Sequence, residues 1–261
     1  MDLELVERIA NAALYEGYPR YPCRSSEIKN RRRFNLGVVY PQDYGLARDE
    51  LFCAQTECLA SSNWRMAFDV RVRFLHLATR EGRQEAIERE VIVPALRTDL
   101  LVEPLQVSFA FPSKRANETC EQEPINGNIE IAADQVAEWI FKIRARISNL
   151  TPMAAAPGVA DLSVEDALKR SFISTHAILS ARGGEFISLL NPPEALRDVA
   201  GSCRNIGTYP VLVGAEGERD AMLAAPVILY DYPQITPGSP EDLLDGTEIA
   251  AAASAAAASD R

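Results

Sequence analysis

The side chains most able to do chemistry here are two histidines, His76 and His176. Histidine is the commonest general base and metal ligand near neutral pH. His76 ends the apolar face of a strand-like run and reads as a packed or rim residue. His176 lies in Ser174-Thr175-His176, which the pattern places near the end of a helix. A histidine base needs a nucleophile and an orienting carboxylate. Ser174 and Thr175 are too near in sequence to face it on a helix. An enzyme of unrecognised class would therefore pair His176 with Glu185 or Asp231.

Other chemistries lack their spacing. The five cysteines, Cys23, Cys53, Cys58, Cys120 and Cys203, contain no Cys-x-x-Cys and read as free thiols acting as small hydrophobes. No metal or cofactor site is expected, and no glycine-rich phosphate loop occurs. Arg182-Gly-Gly-Glu-Phe186 resembles the signature turn of diguanylate cyclases, but it lacks one acid and the flanking βαβ pattern, and reads as a hairpin-type turn. The carboxylates of 242–248 do not match a calcium loop.

The unusual segment is 15–33. Residues 20–33 carry a net charge of +5 in a chain of −10, with Tyr15, Tyr18 and Tyr21 interleaved among or before the cations. Tyrosine and arginine dominate interface hot spots. Tyr18, Tyr21, Arg24, Lys29, Arg31, Arg32 and Arg33 are the expected partner-binding residues. Residues 216–248 carry −7, so docking of the two segments on each other, or on the next subunit of a homo-oligomer, is the competing reading. The acidic remainder disfavours nucleic acid.

The elements that must position these residues follow from periodicity. Leu3, Val6, Ile9, Ala10 and Ala13 predict a helix over 3–14, and 34–40 is apolar enough for a strand. Met66, Phe68, Val70, Val72 and Phe74 alternate with Arg65, Asp69, Arg71 and Arg73, the pattern of a strand with one wet face. Residues 139–147 repeat it, and weaker runs lie at 105–111 and 129–131. Ser163-x-x-Asp166 fits a helix start whose apolar face runs through Ala167 and Leu168 to Phe172 and Ile173. Short strands are expected at 186–190, 209–213 and 227–230, with a helix from Pro192-Pro193 to Ala200. The fold class is thus α+β: an antiparallel β-sandwich followed by a smaller α/β lobe. The expected division is an N-terminal helix and arm (1–33), the sandwich (34–152), the lobe with an acidic coil (153–249) and an Ala/Ser tail (250–261). No run spans a bilayer and no basic leader precedes the first helix, so a cytoplasmic location is expected.

Several phrases carry a family resemblance. They are Tyr15-Glu-Gly-Tyr18, Tyr21-Pro-Cys-Arg-Ser-Ser with Lys29-Asn-Arg, Ser174-Thr-His-Ala with Gly183-Gly-Glu-Phe, Pro226-Val-Ile-Leu-Tyr-Asp-Tyr-Pro, and Ser239 through Ile249. Together they resemble an uncharacterised bacterial family encoded beside oxygen-tolerant uptake nickel-iron hydrogenases. The resemblance implies a non-catalytic accessory or structural subunit whose partner is a hydrogenase, acting in assembly or as a bound scaffold. It implies an aromatic residue where Cys23 stands and an acidic, leucine-bearing helix where the Ala/Ser run begins. It specifies no reaction.

Overall fold

The computed structural model describes residues 3–15, 36–62, 65–80, 83–116, 120–153 and 163–235. Two helices come first, α1 (Leu3–Tyr15) and α2 (Gln42–Arg48). Eight strands follow: β1 (Cys53–Ser61), β2 (Ala67–Arg80), β3 (Arg83–Arg97), β4 (Leu105–Phe111), β5 (Lys114–Ala116), β6 (Cys120–Gln122), β7 (Ile125–Ala137) and β8 (Ile140–Asn149). The chain continues through α3 (Val164–Lys169), β9 (Ile173–Arg182), β10 (Glu185–Ile187), α4 (Arg197–Gly201), β11 (Tyr209–Leu212) and β12 (Ala221–Ala225).

All strand pairs are antiparallel and form two sheets. One has the order β10-β1-β8-β7-β4. The other runs β11-β12-β9-β2, with β3 along one side of β2 and β6-β5 beyond β9 on the other. The α+β class and the sandwich are present as expected. The segment after 163 supplies β10 to the first sheet and β9, β11 and β12 to the second, so the expected lobe shares its core with the sandwich.

The alternation of β2 builds that core. Phe68, Val70, Val72 and Phe74 are fully buried between the sheets, facing Ile129, Ile131, Ile143 and Ile147. Phe74 is stacked on Phe172 with ring centroids 4.5 Å apart, and Phe109 and Phe111 each lie about 6 Å away (6.0 Å). Gly127 pairs with Phe109 across β4 and β7; a Cβ there would sit 2.3 Å from the ring, so a larger residue would force the ring to move.

A second apolar layer covers the outer face of the larger sheet. Val6, Ile9, Ala10 and Ala13 of α1 pack on Ile178, Val211, Leu223 and Val227. The small alanines let the helix approach closely. On the smaller sheet, α4 and the turn before it cover the outer face at β1, where Ala200 and Leu196 meet Leu59.

Five local expectations are corrected. The cap at Ser163 is real, its Oγ accepting from Asp166 N at 3.0 Å, but α3 spans only six residues. Asn149 Nδ2 donates to the Arg170 carbonyl at 2.8 Å and the chain turns into β9, so Phe172 and His176 are not helical. Residues 36–40 contribute an isolated bridge, Val39 to Phe172, rather than a strand. Residues 227–230 are irregular, and the strand lies earlier, at β12. The Gly183-Gly184 turn is no hairpin, because β10 pairs with β1 and the turn carries the chain from one sheet to the other.

Candidate functional site

Tyr18, Tyr21, Arg24, Lys29, Arg31, Arg32 and Arg33 lie outside the described residues. The two ends of their segment are described, and one residue holds both. Ser174 of β9 has φ 54°, a left-handed value, where the pairing of β9 with β2 shifts register between Arg73 and Leu75. Its Oγ donates to the Ala13 carbonyl at 3.1 Å, satisfying one of the acceptors that a helix end leaves open. Its N–H donates to the Leu36 carbonyl at 2.9 Å, and Thr175 N–H donates to the Gly37 carbonyl at 3.1 Å. Gly37 has φ +54°, and a Cβ on it would lie 2.4 Å from Pro226, so this crossing requires glycine. The Tyr/Arg-rich stretch therefore begins and ends at one point of β9.

His176, two residues on, faces α1 beside a buried arginine. It is cross-strand partner to Arg73 of β2. Arg73 Nη2 donates to Asn11 Oδ1 at 2.7 Å and to Glu88 Oε2 at 3.3 Å. The same guanidinium lies 3.6 Å from Glu7 and 3.8 Å from Glu90. Arg71 pairs with Glu7 and, at 3.6 Å, with Glu90. Tyr15 Oη donates to Glu88. Glu7, Asn11 and Tyr15 repeat every four residues, which puts them on one edge of α1 above the charged face of β2. That face, read from sequence as wet, is roofed by the helix at Arg73, which is 7% exposed. The four-residue spacing in α1 was the available signal for this network.

His176 is fully buried. Its Nδ1 lies 3.0 Å from the Ser174 carbonyl, which places the proton on Nδ1 and the lone pair on Nε2. Nε2 has no hydrogen-bond partner among the described residues. Burial, then the Arg73 charge, hold its pKa down at about 4. The carboxylates expected to orient it are placed elsewhere. Asp231 ties the turn after β10 to the end of β11, accepting from Ser188 Oγ and, at 2.8 Å, from Leu212 N–H. Glu185 is exposed on β10, in the other sheet.

His76 is also fully buried, on the inner face of β2. Among the described residues neither ring nitrogen makes a hydrogen bond of normal geometry, although the backbone of Glu123 and of Lys169 faces it. Burial and the Arg89 charge bring its pKa to about 4. Arg89 donates to Gln122 Oε1 at 2.6 Å and lies 4.7 Å over the Phe111 ring. Both histidines are thus neutral in the fold at pH values where they charge in the unfolded chain. The unfolded state binds more protons between about pH 6.5 and pH 4, so stability is full above that window and falls as pH drops through it. Each pKa unit is worth about 1.4 kcal/mol. Urea midpoints should be flat above pH 7 and decline below pH 6.5, and His176→Gln should flatten the decline. A midpoint rising on acidification would contradict this sign.

Cys58 is buried in the core and its thiol pKa is pushed well up by burial, while Cys53 is also buried and Cys203 is half-buried. Among the described residues, no cluster of three or more His, Cys, Asp and Glu side chains is placed to hold a metal ion. An open cleft of about 240 Å³ runs beside β11, lined by Leu189, Leu190, Pro210, Ile228 and Leu229. Its polar neighbours are engaged inward: Thr208 Oγ1 donates to the Gln55 carbonyl at 2.7 Å, and Asn205 Oδ1 accepts from Glu57 N–H at 2.8 Å. No described helix is long and apolar enough to cross a membrane. Compared with known proteins, the chain matches no protein-family model and no curated sequence.

Proposed function

We propose that this chain is a non-catalytic accessory protein that binds subunits of a nickel-iron hydrogenase, in assembly or as a bound scaffold, through the segment 16–35. The observation that carries the reading is the anchorage of both ends of that segment at Ser174. Twenty residues separate the two anchored ends, more than an ordinary connection needs, and a connecting segment of that length often carries function. Closing its ends in advance removes part of the entropy that a partner would otherwise have to supply. Tyr18 and Tyr21 supply apolar area with a polar tip, and Arg24, Lys29 and Arg31–Arg33 supply charge to meet carboxylates.

The family resemblance supplies the partner. Its Ser174-Thr-His-Ala phrase coincides with the anchor, which gives that phrase a role in holding the arm rather than in a reaction. The engagement of His176 and Asp231 inside the fold supports the same choice. A cytoplasmic location belongs to this proposal.

Co-purification with an affinity-tagged hydrogenase tests it. The variant Arg24→Ala, Lys29→Ala, Arg31→Ala, Arg32→Ala, Arg33→Ala should lose at least about tenfold of the captured protein with an unchanged thermal melt. Equal capture of the variant, or a hydrogenase that matures and works normally without this protein, would overturn the reading.

A further inference from the structure

The sheet edges of the described residues are guarded, with one exception. An unpaired edge strand is a template for another chain, and proteins protect it with charge, proline, bulges or covering segments. The edge at β10 is occupied, with Phe186 N–H donating to the Arg219 carbonyl at 2.6 Å. The edge at β11 is occupied at Leu212, whose N–H meets Asp231 and whose carbonyl accepts from Tyr232 N–H at 2.8 Å. The long edge strand β3 carries Glu85, Glu88, Arg89, Glu90, Pro94 and a left-handed Ala95 at φ 55°. Strand β5 is three residues long and holds Lys114 and Arg115.

Between Pro104 and Pro112, strand β4 has none of these devices among the described residues. Its seven residues, Leu105-Gln-Val-Ser-Phe-Ala-Phe111, include no charge and no proline. Among the described residues it pairs only with β7. Leu100 and Val102, shortly before Glu103 and Pro104 lead into it, are exposed at 67% and 89%. Val107, Phe109 and Phe111 are only half-buried at this open side of the sandwich.

We propose that β4 is a homodimer edge, pairing antiparallel with β4 of a second copy about a two-fold axis at Ser108. The strand is complementary to itself. In that register Leu105 opposes Phe111 and Val107 opposes Phe109 of the other copy, all on the core side. Gln106 opposes Ala110, and Ser108 opposes Ser108, on the exposed side. No like charges meet, which matters for a chain of net charge −10. Beyond the strand ends, Glu103 of each copy comes beside the 112–114 stretch of the other, which carries Lys114. The two five-stranded sheets become one continuous sheet, and the contact is isologous and closed. A single strand pair with flanking apolar side chains is a small interface, so a micromolar-range dissociation constant is expected.

This contact is separate from the arm, and its test needs no hydrogenase. Light scattering or sedimentation of the full chain, at concentrations spanning the micromolar range, should pass from 28.7 kDa to twice that mass. Ser108 is exposed, so Ser108→Lys leaves the fold intact while opposing two ammonium groups, and should raise the dissociation constant at least about tenfold. Ser108→Cys should form an intermolecular disulfide under mild oxidation, whereas Gln106→Cys, opposite Ala110, should not. The five-fold arm variant should dimerise like the wild type. A wild-type chain that stays at 28.7 kDa throughout, including one whose β4 edge is taken only by a strand of another protein, overturns the proposal. So does a Ser108→Lys chain that dimerises as tightly as wild type, or cross-linking that does not distinguish positions 106 and 108.

Discussion

Phe74→Ala is expected to lower the unfolding free energy by about 3–5 kcal/mol, measured by chemical denaturation at neutral pH. The ring is fully buried and is stacked on Phe172, with Phe109 and Phe111 on its other flanks. Removing it deletes the centre of a four-ring cluster that joins β2, β4 and the start of β9. The residues around it are held by two sheets and relax little, so a cavity remains. Phe172 also forms the bridge to Val39, directly before the Ser174 anchor, so local opening at 36–40 should rise with the global loss. Phe74→Leu should recover more than half of the stability. A loss below about 1 kcal/mol for Phe74→Ala would mean that the two sheets do not share this core.

Arg73→Met is the second large effect. It keeps the length of the side chain and removes the charge. Glu7, Glu88 and Glu90 lose their common cation, and Asn11 loses its donor. The three carboxylates are partly exposed and rehydrate, so the cost should be about 2–3 kcal/mol rather than the larger penalty of a wholly buried pair. The variant has a second readout. The Arg73 charge helps to hold the His176 pKa down, so that pKa should rise toward the ordinary histidine range when the charge is removed. Following the His176 ring proton by NMR through an acid titration measures it. An unmoved His176 together with unchanged stability would separate the histidine from the network.

The parts of the fold legible in the sequence are those with one wet face. β2, β4 and β8 alternate because one side meets the other sheet and the other side meets solvent or charged partners. β1 gave no alternation because α4 and its flanking turns cover its outer face, leaving both faces buried. β12, Ala-Met-Leu-Ala-Ala, is buried on both faces under α1 and its residue types favour helix, so its strand nature comes from the sheet it joins. β3 was hidden by Glu88 and Glu90, which pair with Arg73 and Arg71 across the strand instead of packing apolar side chains. The helix expected through Phe172 and Ile173 fails at Lys169 because Asn149, distant in sequence, binds the Arg170 carbonyl. Ser174 had no sequence signature as an anchor. Its role depends on a left-handed backbone and on two carbonyls, Ala13 and Leu36, that only the folded chain brings together.

The strand β9 thus ties the chain together. It crosses the larger sheet, carries the buried His176 and fixes both ends of the Tyr/Arg-rich stretch. The most direct test of the account asks what that stretch touches in the cell. A photo-cross-linking amino acid placed at Tyr18 or Tyr21, and a control placed at the exposed Glu185, can be irradiated in cells that make the hydrogenase. The account predicts adducts to a hydrogenase subunit from positions 18 and 21 and none from the control. Adducts from 18 and 21 only within the chain itself, to its acidic residues 216–248, would contradict it.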